Sequence, residues 1–460
     1  MRISLGAGAA SAAERATLAV MPKRPEAGLA AEQRAVLDLI ESTRDHVFVT
    51  GRAGTGKSTL LQAFLESTDR TVIVCAPTGV AALNVGGQTI HSLFRLPIGL
   101  IADQELENPP QLARLLREVD TIVIDEISMV SADLMDAIDR RLRESRARPN
   151  EPFGGAQVVL FGDPYQLAPV PGRDEGERAY YADHYRSMWF FDAKAWREAE
   201  LRIVELQTIH RQQDESFRRM LSAVRHGEVT PEIGRALNEA GARPAPAEGI
   251  LTLATTNATV TRINQDALRR LPGDGKIARA EIAGEFGGRG GYPADEALEL
   301  KVGAQVMFLR NDTGGEGLPR WVNGTLGTVE RIGKTVWVKV EGEGFEVVPA
   351  TWEKYRYTYS AATKRVTKDV VAEFTQFPLR LAWAVTIHKS QGSTYDRAIV
   401  DLGARAFAPG QAYVALSRIR SIEGLYLTRG LRPSDVIVDD DVRRFMADVE
   451  PAIGRAVESA

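Results

Sequence analysis

Gly51-Arg52-Ala53-Gly54-Thr55-Gly56-Lys57-Ser58 is the stretch that decides the fold. It fits the phosphate-loop pattern G-x-x-x-x-G-K-[ST] at every fixed position. The apolar run Val47-Phe48-Val49 leads into it as a short strand, and Leu60, Leu61 and Phe64 carry it on as a helix. Glycines let the backbone wrap phosphate oxygens, and the helix start adds N–H groups and a favourable dipole. Gly51, Ala53, Gly54, Thr55, Gly56, Lys57, Ser58 and Thr59 therefore form the expected nucleotide-binding set. Lys57 is expected to neutralise the β- and γ-phosphates, and the Ser58 hydroxyl to ligate Mg²⁺.

Working outward, more apolar runs end in polar or glycine-rich residues. Thr71 to Cys75 leads into Pro77-Thr78-Gly79, Thr121 to Ile124 into Asp125-Glu126, and Val158 to Phe161 into Gly162-Asp163. Continuous runs of this length suit strands buried on both faces of a parallel sheet. After Ser131, Leu134, Ile138 and Leu142 share one helical face. Strand alternating with helix predicts an α/β sheet whose ligands lie beyond the strands' carboxyl ends. Asp125 is assigned to the metal and Glu126 to general-base activation of water. Gln166 is placed to bond the γ-phosphate or that water. Alone, an Asp-Glu pair is usually solvated charge and a loop glutamine a plain amide; the strand-end position raises both.

A second α/β unit follows. Leu251 to Leu253 and Ala398 to Val400 read as strands, Val260 to Leu268 and Ala412 to Ser417 as helices. Between them, Val302 to Leu309, Leu326 to Arg331 and Thr335 to Val340 alternate with glycines, which predicts a small antiparallel insert. Transfer of a phosphoryl group also needs positive charge on it. Arg211 and Arg418 are candidates, though spacing alone does not single them out.

Composition sets limits. With 460 residues, at least two domains are expected. A hydrophobic content of 44% and charged content of 26% exclude a disordered chain. No apolar run is long enough for a bilayer. The net charge of −4 neither demands nor excludes nucleic acid, because a local basic groove suffices. The single cysteine, Cys75, reads as a small core residue in a reducing compartment. A cytoplasmic chain with a floppy tail over 1–28 is expected, with a mitochondrial presequence as the alternative.

Taken in order, GRAGTGKST (51–59), CAPTGVAALNVGGQTIHSLF (75–94), IDEISMV (124–130), PFGGAQVVLFGDPYQLAPV (152–170), IHRQ (209–212), WAVTIHKSQGST (383–394) and AYVALSRIRSIEGLYL (412–427) resemble the motifs of the Pif-one family of DNA helicases. That family belongs to the branch of superfamily 1 that moves 5′ to 3′. The resemblance implies two RecA-like P-loop domains, 29–200 and 201–317 with 378–460, each a parallel sheet flanked by helices. It implies a small β-barrel insert at 318–377, begun near Asn323 and Gly324, and a short wedge insert within 95–117. It makes Arg211 and Arg418 arginine fingers and Gln33 the adenine-reading glutamine. It places Pro77, Thr78, Gly79, Thr89, Ile90 and His91, and then Thr386, His388, Lys389, Ser390 and Gln391, on the DNA strand. Phe94 or Trp383 could stack on bases, although core packing is the stronger reading for Trp383. ATP and Mg²⁺ are the implied cofactors. Single-stranded, forked or structured DNA is the implied partner, on a monomer without a membrane, with other replication or repair proteins beside it. The implied activity is ATP-dependent 5′-to-3′ unwinding. The alternative is a translocase that strips proteins or serves a RecD-like nuclease complex.

Overall fold

The computed structural model describes residues 28–97, 99–101, 108–170, 175–212, 214–286, 292–312, 320–360 and 365–458. The tail expected over 1–28 lies almost wholly outside them, as does part of the expected wedge region, 98 and 102–107.

The phosphate loop sits on a six-stranded sheet. Its strands are β1 (Val47–Gly51), β2 (Val72–Ala76), β3 (Gln88–Thr89), β4 (Thr121–Ile124), β5 (Gln157–Phe161) and β6 (Arg202–Leu206). They lie in the order β3-β2-β4-β5-β1-β6, and every pairing is parallel. Each residue of β1, β4 and β5 is buried, which is why these strands read as unbroken apolar runs. Helices cover both faces: Val36, Leu37, Ile40, Leu60, Leu61 and Phe64 pack on one, and Leu134, Ile138 and Leu142 on the other. Buried Cys75 donates to the Val123 carbonyl at 3.5 Å, as a core residue does.

A second, four-stranded parallel sheet runs in the order Ala384–Thr386, Leu251–Ala254, Ala398–Asp401, Leu425–Leu427. The helix Gln411–Ser417 packs on it, buried along its whole length. Where a barrel is expected there is a five-stranded antiparallel sheet: Glu343–Val347, Val336–Val340, Leu326–Ile332, Gln305–Phe308 and Leu379–Leu381. Among the described residues its end strands do not pair to close a ring. Beside it a long hairpin, Ala350–Ser360 with Arg365–Gln376, pairs with Glu281–Gly284.

Two packings depart from the sequence reading. The C-terminal helix Asp440–Glu458, expected in the second domain, lays Val442, Phe445 and Met446 into the first core, and Phe445 stacks on Phe191 at 4.2 Å. Its apolar stripe could have covered either unit, and the large aromatic cluster of the first wins. Phe94 is fully buried in that same core, so it offers no face to a base. Trp383 is half-buried against the insert's core, in line with the packing reading. No helix among the described residues is long and apolar enough to cross a membrane.

Candidate functional site

Beyond the carboxyl ends of β1, β4 and β5 opens a cavity of about 810 Å³. The first domain contributes Ala53, Gly54, Gly56, Lys57, Ser58, Thr59, Asp125, Glu126 and Gln166, and across from them stand Arg211 and Arg418. Eleven of the residues expected from sequence thus share one space. Gly51 and Thr55 lie beneath its floor, where the Thr55 hydroxyl donates to the Arg52 carbonyl at 3.0 Å. Gly54 shows why the loop needs glycine: its φ is +86°, and a Cβ there would stand 2.5 Å from the Arg211 Cβ. Lys57 reaches back over the loop, donating to the Gly51 and Arg52 carbonyls at 2.6 and 3.1 Å. Gln33 lies against the loop with both ends of its amide engaged. It donates to the Gly56 carbonyl at 3.2 Å and accepts from the Ala30 N–H at 2.9 Å.

Asp125 and Glu126 leave β4 side by side. Glu126 has a φ of +52°, a left-handed conformation that costs a non-glycine residue about 1 kcal/mol. Such strain persists where surrounding contacts over-determine the geometry. Burial, then the neighbouring Glu126, pushes the Asp125 carboxyl up to about 7. Burial also pushes Glu126 up, against the pull of Lys57 and Arg418. Burial pushes the Lys57 ammonium down, opposed by Asp163 and Glu126. Arg211 is brought down to about 9, by burial and then by Arg418. Two half-buried carboxylates beside a serine hydroxyl are hard oxygen donors that fit a divalent cation such as Mg²⁺.

Several participants escape sequence reasoning. Asp163 is a buried hub: Arg225 grips its Oδ1 through Nη2 at 3.0 Å, and the Tyr413 hydroxyl donates to its Oδ2 at 3.1 Å. Burial alone would raise the Asp163 carboxyl, but Arg225 and Lys57 hold it below its ordinary range. The Tyr413 hydroxyl also accepts the Ala53 N–H of the phosphate loop at 2.9 Å. One phenol from the second domain therefore ties the loop to the 163–166 turn. Gln212 and Arg211 donate to the Ser417 carbonyl at 3.1 and 3.2 Å, fixing both to the end of the Arg418 helix. Gln391 enters the cleft and donates to Glu126 Oε2 at 2.9 Å. Of these, Asp163 is signalled by closing an apolar strand and Gln391 is expected on the DNA strand instead, while the roles of Arg225, Gln212 and Tyr413 are tertiary.

Apart from Gln391, which enters the cleft, the residues expected on DNA lie elsewhere. Thr78, Thr89 and Thr386 each accept a backbone N–H three residues on, from Ala81, Ser92 and Lys389, at 3.2, 3.3 and 3.2 Å. Thr78 and Thr89 each cap a short helix just after a parallel strand, while Thr386 ends its strand and closes the turn that follows. Pro77, Gly79, His91 and His388 are half-buried and Lys389 is exposed, whereas Thr386 is buried. Burial lowers the His91 and His388 imidazoles, which keeps them neutral near pH 7.

Fold and cleft define a P-loop protein with two RecA-like domains that meet over a nucleotide site. Residues 28–233 match the family model for PIF1-like helicase. The chain is 36% identical over 439 residues to the ATP-dependent DNA helicase Pif1 of Bdellovibrio bacteriovorus, covering 92% of this chain and 93% of that one. It is 36% identical over 446 residues to the mouse ATP-dependent DNA helicase PIF1, covering 94% of this chain but 64% of the mouse protein. It therefore spans about two thirds of that longer relative. Bacteroides Pif1 in complex with ADP-AlF4 superposes with a TM-score of 0.84 at 37% identity, covering 92% of this chain and 97% of that one. The same Bacteroides protein bound to single-stranded DNA gives a TM-score of 0.67, again at 37% identity and the same coverage. The chain belongs to the PIF1-like helicase family.

Proposed function

We propose that this chain is an ATP-dependent DNA helicase that moves 5′ to 3′ along single-stranded DNA and unwinds duplex or structured DNA. The observation that carries this reading is the cleft, where Lys57 and Glu126 of one domain face Arg211 and Arg418 of the other across a single cavity. A cleft that needs both domains to complete it can convert nucleotide turnover into relative domain motion. The names and bound ligands of the relatives add the nucleic-acid half of the reading.

In this mechanism the loop amides and Lys57 hold the β- and γ-phosphates, with the adenine beside Gln33. Ser58 and Asp125 would hold Mg²⁺, which supplies charge neutralisation on the phosphates when bound. Glu126 takes the proton of the attacking water, and Gln166 orients that water. Arg211 and Arg418 stabilise the charge that builds on the transferring phosphoryl group. They also report its presence to the second domain. Closure would then shift Pro77, Thr78, Gly79, Thr89 and His91 against Thr386, His388 and Lys389 along the strand. Grips of this kind read phosphate rather than base, so binding should be sequence-tolerant and weaken with salt. We place the protein in the cytoplasm, acting as a monomer.

The test is unwinding of duplexes with 5′ or 3′ single-stranded tails by the purified chain. Unwinding from the 5′ tail alone is expected. Unwinding only from a 3′ tail overturns the polarity. ATP-driven movement without strand separation from either tail favours a translocase working within a larger complex.

A further inference from the structure

The Gln391 side chain makes a contact that its place in the sequence does not suggest. Its Nε2 donates to Glu126 Oε2 at 2.9 Å and to Gln166 Oε1 at 3.4 Å. Those two acceptors are the ones assigned above to the attacking water. A water poised for attack must donate to the Glu126 carboxylate and be held by Gln166. One amide nitrogen bridging both occupies one acceptor site on each, in competition with this water. With Gln391 seated, the base and its orienting partner are held together by an amide that competes with the water for both.

The segment behind Gln391 is a compact turn. The strand Ala384–Thr386 ends in Thr386, whose hydroxyl accepts the Lys389 N–H at 3.2 Å. The Ser390 hydroxyl donates to the Ile387 carbonyl at 2.7 Å, and the Gln391 N–H to the His388 carbonyl at 3.2 Å. These bonds make 386–391 move as one piece. Gly392 follows at a φ of +81°, and no atom lies within 4 Å of where its Cβ would stand, so the chain can swivel there. His388 and Lys389, expected on the DNA strand, are two and three residues from the amide that bridges Glu126 and Gln166.

We infer that Gln391 is a positioning residue that links DNA on the 386–390 turn to hydrolysis: in the arrangement seen here its amide holds Glu126 and Gln166 and competes with the attacking water, and single-stranded DNA on the turn withdraws it. The inference rests on the helicase reading. It goes further by naming the atom through which DNA licenses turnover.

The experiment is steady-state ATP hydrolysis by the full chain, with and without oligothymidine, for wild type, Gln391→Ala and Gln391→Asn. The asparagine side chain is one methylene shorter and does not span both acceptors. Loss of a hydrogen bond to a charged group corresponds to about a tenfold change in rate. Both variants should therefore raise the DNA-free rate about tenfold, leave the DNA-saturated rate within about twofold, and cut the stimulation ratio about tenfold. That ratio does not depend on how much of a preparation is folded, so partial misfolding leaves the reading intact. A stimulation ratio equal to or above wild type in both variants overturns the inference and leaves the helicase reading standing. A wild type that hydrolyses ATP no faster with DNA sinks both.

Discussion

The two walls of the cleft are built differently. On the first wall, Lys57, Asp125, Glu126 and Gln166 stand within a few residues of the ends of β1, β4 and β5, fully buried neighbours in one parallel sheet. On the second wall, Arg211 comes from the segment after β6, Gln391 from a turn, and Arg418 from the end of a seven-residue helix. The first wall is preorganised by a core and can hold phosphates by itself. The second has a buried helix behind it but presents its side chains through individual hydrogen bonds: the Arg418 guanidinium to the Val414 carbonyl at 3.0 Å, Arg211 to Ser417, Gln391 to Glu126. A wall of that kind can leave and return, as a motor requires. Binding should therefore belong to the first wall, and acceleration to Arg211 and Arg418 of the second wall together with Glu126.

The sharpest way to break this division is Arg418→Ala. An arginine finger acts on charge that develops only in the transition state. The expected loss is about 1,000-fold in kcat with ATP affinity changed less than about threefold. Nucleotide binding by fluorescence, set against single-turnover hydrolysis, reads both. Loss of binding in step with hydrolysis would mean that Arg418 serves the ground state, and the division fails.

Glu126→Gln probes the first wall's own contribution to chemistry. The variant keeps the shape and the left-handed backbone but cannot take a proton. Hydrolysis should fall about 100-fold, the usual scale of general-base catalysis, with ATP still bound. Turnover at the wild-type rate would assign the base to another group, and Asp125 would be the first to examine.

The same contrast explains what the sequence discloses. Strands β1, β4 and β5 are buried on both faces, so each appears as a run of apolar residues whose end marks the site. Asp125 and Glu126 could be read from that and Lys57 from the phosphate-loop pattern, whereas Gln166 also leans on the family resemblance. Arg211 and Arg418 could not be chosen among the other arginines without the family resemblance, because no periodicity places them in the cleft. Gln391 was read with the DNA segment, since sequence cannot show that the chain turns into the cleft after Ser390. The Tyr413–Asp163–Arg225 network joins residues up to 250 positions apart and leaves no local pattern. The hairpin against the first domain is of the same kind: Tyr357 packs on the first core and Gln88 donates to the Tyr355 carbonyl. Such pairings are fixed by shape and by the satisfaction of buried polar groups, neither of which is written in local order.

The smallest expected effect concerns how the second wall keeps its shape between strokes. Asp435 is fully buried and anchors the approach to the Arg418 helix. It accepts the Ala406 N–H at 3.1 Å and the Arg432 N–H at 2.8 Å, and both Arg429 guanidinium nitrogens at 2.7 and 2.8 Å. Burial alone would raise its carboxyl, but the Arg429 bonds outweigh that and bring it to about 2. A carboxylate depressed below its ordinary pKa stabilises the fold above that ordinary value, and the contribution is lost as pH falls through the folded one. The shift corresponds to about 2 kcal/mol, fully present above pH ~5 and fading between pH ~4 and ~2. Asp435→Asn should therefore lower the stability found by urea unfolding by about 2 kcal/mol at pH 7, and the gap to wild type should close as pH approaches ~2. Once folded, the variant should keep its ATP affinity, because that belongs to the first wall. A gap that stays constant with pH would show that Asp435 acts by shape rather than charge. A parallel loss of ATP affinity would show that the two walls are not separable.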